Sequence, residues 1–553
     1  MPAHMLIVWS GSMASTKFTN EFTYRRLLEA GEEQKFDSMF EEALKSAKAG
    51  FGARNPMYIG GREVYAGEQL EERSPIDHGI LIGQFQKGTR EHARQAIAEA
   101  KRVFPQWSST GYKERVSIFR HVAELFVRDK FKLAAVLSYE NGKSRYESVG
   151  EVDEAIDFLR YYADELERNK GYIRKTSISQ SSGKVQLGFQ GAPSGSERIT
   201  ISMEPYGVFG VIAPFNFPVS ISVGMSVGAM ITGNTVVFKP SSTDNMSMLT
   251  GLYIYRLMKE GGVPDGVFNY VTGPGSEVGD ELVLSNDVAG IVFTGSRATG
   301  LKMIARTFSA GNQKAFIVEM GGKNPAIVSK YADIDKAVDG AVSAAFGFAG
   351  QKCSALSRVY VHESIKEIFI SKLLERTRAI KVGNPLAKEN YMGPLISESA
   401  YRRYAESVDK ARASGRMLYG GNKVSTGLDG FYVEPVIVEL RHEHELVHTE
   451  LFLPFLTIET YNDFKDALRM ANDVEYGLTA GLYSKNRREI KEFTKGIQAG
   501  TVYINRSTSA TTGAIVGMHT FVGWKGSGLT GKGTGSRHYL PQFMREKSVS
   551  LTE

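Results

Sequence analysis

Apolar positions recur every three or four residues in three stretches between residues 80 and 170. They predict amphipathic helices at 90–104, 114–129 and 149–168. Because such helices bury one face, we expect them to form a layer over a sheet. The segment 174–198 is rich in Ser, Gly and Gln, but an alternating pattern follows it at 199–203. We therefore expect a long excursion or hairpin there and not a free linker.

From residue 208 onward the pattern changes to short apolar runs separated by helix-like segments. The first four runs predict strands at 208–213, 235–239, 267–272 and 290–294. Alternation of strands and helices at this spacing favours a parallel α/β sheet of nucleotide-binding type. A second series predicts a second α/β domain, with strands at 326–329, 358–361, 455–459 and 501–504.

The composition indicates a globular protein of more than one domain. The chain has 553 residues, 42% of them apolar, and a formal charge of +6 that is spread without long like-charged blocks. A charge this small and dispersed does not indicate a nucleic-acid-binding protein. It fits a protein that binds an anionic small ligand equally well. No apolar stretch approaches the roughly 20 residues that span a bilayer, and the run 5–9 is too short for a signal-peptide core. We expect a cytoplasmic protein without membrane contacts.

The amino terminus is set aside in these predictions. Met13 follows Gly11 and Ser12 and opens a more ordinary amino-terminal sequence. Residues 1–12 are therefore left out of the fold prediction.

The chain contains one cysteine, Cys353. A single thiol cannot form an intramolecular disulfide, so its sulfur is either an inert apolar group or a nucleophile. The nearest histidine in the sequence, His362, lies on the following predicted strand. A Cys–His pair formed through space, as in thiol hydrolases, stays open.

Two positions near predicted strand ends are candidates for binding an anionic ligand. Lys239 ends the strand 235–239 and lies at the carboxyl edge of the sheet, where α/β proteins bind ligands. A solvated strand end is the alternative. Gly295 and Gly300 mark the passage from a strand to a helix, where backbone can approach a phosphate. Their spacing is not that of the three-glycine dinucleotide fingerprint, so an ordinary turn is the alternative.

Asn216 and Glu319 are candidates for stabilising charge and moving protons. Asn216 lies in the rigid run Pro-Phe-Asn-Phe-Pro, which could hold one amide donor in an apolar site, although the asparagine could also satisfy its own turn. Glu319 follows the strand-like run 315–318. A carboxyl group beside an apolar wall has a raised pKa, which suits a general base for water. A surface charge is the alternative for Glu319.

Five elements in a fixed order together resemble the aldehyde dehydrogenase superfamily. They are Pro-Phe-Asn-Phe-Pro at 214–218, Val-Phe-Lys-Pro at 237–240, Phe-Thr-Gly-Ser-Arg-Ala-Thr-Gly at 293–300, Glu-Met-Gly-Gly-Lys-Asn-Pro at 319–325, and Cys353, which comes 34 residues after Glu319. The resemblance extends from about residue 57 to the carboxyl end. It implies a Rossmann-type cofactor domain, an α/β catalytic domain and a β-strand oligomerisation element.

The resemblance also implies how these parts divide the chain. The dinucleotide-binding domain is expected at 13–170 and 205–318, and the catalytic domain at 319–504. The oligomerisation element and carboxyl-terminal segment are expected at 171–204 and 505–553. A homodimer or higher assembly follows, because in the family this element extends a neighbour's sheet.

The family implies specific roles for the three central residues. Cys353 would be the nucleophile that adds to an aldehyde carbonyl, giving a hemithioacetal that can lose hydride to nicotinamide. Asn216 and the backbone N–H of Cys353 would form the oxyanion hole. Glu319 would activate the water that hydrolyses the resulting thioester. No metal is implied.

The expected cofactor is NAD, with NADP possible. The family places the adenosine ribose at Lys239 and the pyrophosphate near Ser296, and we assign Gly273 and Gly295 to the same site. Ser242 stands where NAD-preferring members often carry a glutamate. Without that carboxylate, a 2′-phosphate meets less repulsion.

A further family motif spans residues 449–455. Its glutamate, Glu450, would hold the nicotinamide ribose, and its aromatic residue, Phe452, would pack on the ring. Leu453 stands where the family usually has glycine.

Three stretches are similar to the 1-pyrroline-5-carboxylate dehydrogenase branch, which oxidises glutamate semialdehyde to glutamate. They are residues 351–358 around Cys353, 152–163 and 539–546. The branch implies that the hydroxyl of Ser354 and the amides around Gly513 and Ala514 hold the substrate α-carboxylate, with Lys352 adding positive charge.

Two more side chains are candidates for contacting the substrate. Phe521 would pack on its aliphatic part. Glu154 would face its α-ammonium, although a solvated charge on a helix is the alternative.

The anchoring loop departs from the branch pattern. Residues 505–511 are longer than usual, and His-Thr-Phe-Val-Gly-Trp at 519–524 replaces the commoner Gln-Pro-Phe-Gly-Gly. A dehydrogenase for another acidic aldehyde, such as succinate semialdehyde, is therefore the closest rival. A CoA-acylating relative is disfavoured because Glu319 is present. A thiol hydrolase without redox chemistry and a noncatalytic protein on this fold are the rivals from other classes.

Overall fold

The computed structural model describes residues 24–178, 197–242 and 246–552. Two seven-stranded sheets form its centre, and three smaller sheets lie around them. Residues 1–12 and the central part of the excursion, 179–196, lie outside the described residues.

Helices cover the sheets, and labels follow chain order. Those before residue 300 are α1 (Tyr24–Glu29), α2 (Glu33–Ala49), α3 (Arg90–Ser109), α4 (Tyr112–Arg128), α5 (Lys130–Asn141), α6 (Arg145–Arg168), α7 (Ser220–Ile231), α8 (Met248–Glu260), α9 (Asp280–Leu284) and α10 (Arg297–Ser309). The later ones are α11 (Ile334–Phe346), α12 (Lys366–Arg378), α13 (Glu398–Ser414), α14 (Glu445–His448), α15 (Phe464–Asn472) and α16 (Arg487–Gly496).

The first large sheet is parallel except at one edge. In spatial order its strands are β12 (Ala315–Met320), β11 (Val288–Gly295), β8 (Val208–Ile212), β9 (Thr235–Lys239), β10 (Phe268–Tyr270), β2 (Met57–Ile59) and β3 (Arg62–Val64). The chain runs from β8 to β9 and β10 on one side, then returns to β11 and β12 on the other. This reversal opens a crevice at the carboxyl ends of β8 and β11, which is where such sheets bind ligands.

The second large sheet carries one antiparallel edge strand. Its strands, in spatial order, are β15 (Arg416–Tyr419), β16 (Val436–Glu439), β17 (Phe455–Tyr461), β14 (Leu356–His362), β13 (Asn324–Val328), β19 (Thr479–Tyr483) and β20 (Thr501–Ile504). Only three residues separate β12 from β13. The carboxyl edge of the first sheet therefore faces the amino edge of the second.

Three small sheets complete the fold. They comprise β1 (Ala53–Asn55), β5 (Leu81–Gln86) and β4 (Gln69–Arg73); β18 (Tyr476–Gly477) and β21 (Trp524–Lys525); and β22 (Met544–Thr552), β7 (Glu197–Pro205) and β6 (Ile173–Ile178). Strands β6 and β7 pair antiparallel around the excursion, and β22 pairs along the full length of β7. None of the described helices has the length and apolar character that a membrane crossing requires.

The α/β class predicted from the sequence is confirmed. All eight predicted strands are present, although β10 spans only Phe268–Tyr270 of the expected 267–272. Helix α5 carries no amphipathic signal because all of its residues except Lys132 are buried. The domain boundaries stay a prediction.

Candidate active site

A cavity of about 1070 Å³ lies where the two large sheets face each other. Its walls come from the loops that follow β8, β9 and β11, from α6, and from the segment that precedes β14. Cys353, Glu319 and Asn216 all line it. Residues that are far apart in the sequence therefore meet in one place.

Cys353 lies in the turn between α11 and β14 and is partly buried. Phe348 and Ala349, just before it, have positive φ angles of 49° and 52°. Such left-handed backbone is strained for residues with side chains and is typical of functional sites. The side-chain amide of Asn324 donates to the Cys353 carbonyl at 2.8 Å, which fixes the turn to the start of β13. Burial, with lesser contributions from the nearby Glu450 and Glu319, raises the pKa of the Cys353 thiol to about 12.

Glu319 extends from β12 into the cavity. The backbone N–H of Gly523 donates to its carboxyl oxygen Oε2 at 2.9 Å. Burial raises the pKa of Glu319 to about 8, and this one hydrogen bond only partly opposes the shift. A carboxyl group with such a pKa can exchange protons near neutral pH.

Asn216 follows β8 and is buried, with 4% of its surface exposed. Its amide Nδ2 donates to the carbonyl of Gln351 at 3.2 Å, two residues before Cys353. An amide nitrogen carries two hydrogens, so the second can serve a ligand. The structure thus brings Asn216 against the turn that carries the thiol.

The cavity extends to the carboxyl end of β9. Lys239 is 4% exposed, and its ammonium donates to the carbonyl of Pro240 at 3.0 Å and to Ser242 Oγ at 3.1 Å. Burial lowers the pKa of Lys239 to about 8. Ser242 in turn donates to the carbonyl of Gly273 at 2.5 Å. Neither Ser242 nor Gly273 lines the cavity, so they support Lys239 from behind its wall.

Gly295 and Ser296 reach the cavity at the end of β11. A side chain at Gly295 would lie 2.4 Å from the ring of Phe293, so this position has no space for a residue larger than glycine. Ser296 caps α10, accepting from the N–H of Thr299 at 3.3 Å. Gly300 sits within α10, where a side chain would meet the sulfur of Met320 at 2.5 Å.

Glu450 and Phe452 line the cavity on the side of the second sheet. The N–H of Gly322 donates to Glu450 Oε1 at 2.7 Å, and burial raises the pKa of this carboxyl group to about 7. Phe452 has a φ of 60° and meets the ring of Phe215 edge-on at 5.8 Å. Leu453, which departs from the family pattern, is buried.

All five residues predicted to contact a substrate line the cavity: Glu154, Ser354, Gly513, Ala514 and Phe521. Burial raises the pKa of Glu154 to about 7, so this glutamate is not a solvated surface charge. Asp157, one helical turn further along α6, also lines the cavity, and burial with the nearby Asp153 raises its pKa to about 8. Sequence patterns did not single out Asp157.

The charges that support the site were also missed. Lys143 and Glu151 form a fully buried ion pair on the cavity wall. Lys352 pairs with Glu147 at 2.6 Å, so the positive charge expected from Lys352 is largely neutralised. The sequence gives no signal for the pair of Lys143 and Glu151 except that the glutamate follows the lysine by eight residues.

Histidine is missing from the cavity wall as far as the described residues show it. His362 lies at the far end of β14 and accepts from Ser364. The through-space Cys–His pair of a thiol hydrolase is therefore not formed by these residues.

Several known proteins are similar to this chain. It is 35% identical over 516 residues to 1-pyrroline-5-carboxylate dehydrogenase 1 of Halalkalibacterium halodurans, covering 92% of this chain and 95% of that protein. It is 35% identical over 518 residues to 1-pyrroline-5-carboxylate dehydrogenase 2 of Bacillus subtilis, with the same coverage. Among solved structures, the 1-pyrroline-5-carboxylate dehydrogenase from Thermus with bound NAD superposes with a TM-score of 0.85 at 31% identity, covering 99% of this chain and 100% of that one.

The sequence profile of the aldehyde dehydrogenase family matches residues 64–549. This range includes both large sheets apart from β2 and the first two residues of β3, together with every residue of the cavity described above. The chain therefore belongs to the aldehyde dehydrogenase family.

Proposed function

We propose that this chain is an NAD-dependent dehydrogenase that oxidises L-glutamate γ-semialdehyde, the open form of 1-pyrroline-5-carboxylate, to L-glutamate. The observation that carries the proposal is the single cavity that holds Lys239 and Ser296 at one end and Cys353, Glu319 and Gly513 at the other. The names of the similar proteins support the same substrate.

The residues at the Lys239 end fit a dinucleotide. Within the described residues, the buried ammonium of Lys239 donates to one carbonyl and one hydroxyl, so its third hydrogen can serve ribose hydroxyls. Gly295 and Ser296 line the cavity at the start of α10, where the free N–H groups of a helix favour an anion such as a pyrophosphate. Glu450 and Phe452 would hold the nicotinamide ribose and ring. When bound, NAD would supply the acceptor for the two electrons and a positive charge near the thiol.

The same end also admits a 2′-phosphate. Ser242, not a carboxylate, lies against Lys239 and is engaged with Gly273. Because no negative side chain occupies this position, we propose that NADP is accepted in addition to NAD.

The chemistry begins at Cys353. Its sulfur would form a bond to the aldehyde carbon while the thiol proton leaves to a base, and the carbonyl oxygen would gain negative charge. Asn216 and the N–H of Cys353 would donate to that oxygen. Because burial raises the pKa of the thiol to about 12, a base or a bound positive charge is needed to form the thiolate near neutral pH.

Glu319 would act in the second half of the reaction. Oxidation leaves the acyl group as a thioester on Cys353. Water would attack the thioester carbon while Glu319 takes a proton from that water, and the C–S bond would break to release the acid and the thiol. Its raised pKa of about 8 suits this role.

The remaining cavity residues would recognise an amino acid. Ser354 and the amides of Gly513 and Ala514 would bind the carboxylate, and Phe521 would pack on the methylene groups. Glu154 and Asp157 would face the ammonium group, whose positive charge would lower their raised pKa values and ionise them.

Turnover with purified protein tests the proposal. Glutamate semialdehyde, succinate semialdehyde and uncharged aldehydes would each be assayed with NAD and NADP by the absorbance of the reduced cofactor. We expect glutamate and reduced NAD in equal amounts from glutamate semialdehyde and none from the Cys353→Ser variant. The proposal would be refuted if none of the aldehydes were turned over, or if the protein cleaved esters without reducing the cofactor.

We propose further that the protein is a cytoplasmic homo-oligomer. The sheet β6–β7–β22 leaves large apolar side chains exposed, among them Ile173, Val549 and Leu551. In the family the corresponding strands extend a neighbour's sheet. The division into cofactor, catalytic and oligomerisation parts at the boundaries given above belongs to the same proposal.

A further inference from the structure

We propose that Arg506 is a positioning residue that directs the backbone N–H groups of Gly513 and Ala514 into the cavity, where they bind the carboxylate of the substrate. The inference rests on the proposed function, because it presupposes an aldehyde that carries an acid group. It assigns a role to a residue in the lengthened loop 505–511, which departs from the branch pattern.

The guanidinium of Arg506 holds two successive peptide carbonyls. Nη1 donates to the carbonyl of Thr512 at 3.2 Å, and Nη2 donates to the carbonyl of Gly513 at 2.9 Å. Nε donates to Thr508 Oγ1 at 3.1 Å. A planar fork of donors suits such a bridge, and it fixes both peptide planes at once.

The direction of the N–H groups follows from this bridge. The peptide bonds on both sides of Gly513 are trans. In a trans peptide the C=O and the following N–H point in opposite directions. With the carbonyls of Thr512 and Gly513 turned to Arg506, the N–H groups of Gly513 and Ala514 point away from it.

The cavity lies on that opposite side. Gly513 and Ala514 line its wall, whereas Arg506 does not. Within the described part of the chain, neither N–H has a hydrogen-bond acceptor. Two unpaired donors from neighbouring residues form a concave anion site, and a substrate carboxylate is the acceptor that would satisfy both.

Glycine is required where Arg506 approaches. Gly513 has a φ of +83°, and a side chain there would lie 3.1 Å from Nη2 of Arg506. The guanidinium also lies over the ring of Tyr503 at 4.8 Å. Its hydrogen bonds to Thr508, Thr512 and Gly513 all go to neutral oxygens, so its positive charge strengthens the positive ends of the two peptide dipoles.

The loop is fixed to the turn that carries the nucleophile. Thr511 is fully buried, and its hydroxyl donates to the carbonyl of Ser354 at 2.7 Å. The N–H of Ala510 donates to the carbonyl of Gly340 in α11 at 2.9 Å. The distance between the two amides and Cys353 is thereby set by the fold and selects the length of the substrate.

Steady-state kinetics with two aldehydes test the inference. The variants are Arg506→Lys, which keeps the charge but loses the fork, and Arg506→Met. Arg488→Met, at an exposed position on α16, is the matched control. Each would be assayed with glutamate semialdehyde and with pentanal, which lacks the acid group, and each melting temperature would be recorded.

We expect KM for glutamate semialdehyde to rise about tenfold or more in both variants, the size expected for weakening hydrogen bonds to a charged group. The kcat for this substrate and the kcat/KM for pentanal should stay within about twofold of wild type. Equal losses for both aldehydes, or no loss in Arg506→Met, would overturn the inference. If the wild type itself does not prefer the acid-bearing aldehyde, the proposed function fails first, and the inference fails with it.

Discussion

Burial opposes charge on the two residues that would do the chemistry. It raises the pKa of the Cys353 thiol to about 12 and that of Glu319 to about 8. At neutral pH the protein without cofactor therefore holds a protonated thiol beside a mostly protonated carboxyl group. A nucleophile kept in this state is protected from oxidation and alkylation until a ligand changes its surroundings.

The thiol should accordingly react slowly with iodoacetamide when no cofactor is bound. Because the thiolate fraction stays small below the raised pKa, the labelling rate should rise about tenfold per pH unit between pH 7 and pH 9. Mass spectrometry of the intact chain measures it directly, since Cys353 is the only cysteine. Cys353→Ser is the control, and a rate that levels off below pH 9 would contradict the account.

Replacing Glu319 should separate the two halves of the reaction. Glu319→Gln removes the base for water, so kcat should fall by about 100-fold or more, the usual contribution of a general base. A burst of reduced cofactor close to one per site should remain, because formation of the thioester does not need this carboxylate.

The pH dependence of the wild type gives a second check on Glu319. Its carboxylate fraction grows as the pH rises through about 8, so the hydrolytic step should speed up over that range. If Glu319→Gln lost both the burst and the steady-state rate, Glu319 would be needed for formation of the thioester and not for its hydrolysis.

The family motifs in the sequence were enough to predict which residues form the centre of the site, and the roles of these residues stay predictions. Cys353, Glu319, Asn216 and Lys239 stand at strand ends or sharp turns, where sequence patterns are specific, and all four line one cavity. Arg506 could not be found in this way. Its role depends on which carbonyls the loop turns toward it, and that is settled by tertiary contacts.

At the scale of elements, a buried ion pair joins three parts of the site. Glu151 on α6 accepts from the N–H groups of Val219 and Ser220, at 2.8 and 3.3 Å, at the start of α7. Its partner Lys143 lies 3.6 Å from the centre of the Phe217 ring, next to Asn216. The same ammonium lies 4.8 Å from the ring of Phe348, in the turn before Cys353. The pair thus holds the Asn216 loop against the nucleophile turn.

Breaking this pair should destabilise the protein strongly. Glu151→Gln leaves Lys143 buried without its counter-charge, at a cost of about 3–5 kcal/mol. Unfolding in urea, followed by fluorescence, measures the loss. Glu398→Gln breaks an exposed pair with Arg402 and should change the stability by only about 0.5 kcal/mol.

The double replacement Lys143→Met with Glu151→Leu supplies the decisive comparison for this pair. Two apolar side chains leave no buried charge, so much of the stability should return. The kcat should stay low, because the cation no longer bridges the two aromatic rings. Full recovery of kcat would show that the pair does not position the site.

Secondary structure was predictable where the pattern was regular. Strands β9 and β20 match their predicted bounds, because each is a short apolar run limited by turn residues. Helix α5 gave no signal, since burial of all its residues except Lys132 removes the polar face that amphipathic patterns rely on. The conformation of the irregular loop 505–512 is set by its hydrogen bonds to α11 and Ser354. These contacts are distant in the sequence, so the local pattern could not predict them.

At the scale of the whole molecule, the cavity exists because the carboxyl edge of one sheet faces the amino edge of another. Lys239, Ser296 and Glu319 come from the first sheet, whereas Cys353, Glu450 and Phe452 come from the second. The separate sheet β6–β7–β22 lies outside this arrangement and exposes Val549 and Leu551, each about half accessible. A monomer would leave these apolar side chains in water, which favours a subunit contact there.

The assembly should depend on this exposed sheet. Light scattering after size-exclusion chromatography should give a dimer or larger species for the wild type. Val549→Asp with Leu551→Asp should shift it toward monomer, because two charges would have to be buried in the contact. Ile368→Asp, at an equally exposed apolar position on α12, should leave the mass unchanged. A monomeric wild type would contradict the proposal.

The central claim is that this cavity selects an amino-acid semialdehyde for oxidation at Cys353. The most direct measurement is the ratio of kcat/KM for glutamate semialdehyde to that for succinate semialdehyde, with NAD as cofactor. The account predicts a ratio well above one, because Glu154 and Asp157 would pair with an ammonium group that succinate semialdehyde lacks. A ratio below one would contradict it.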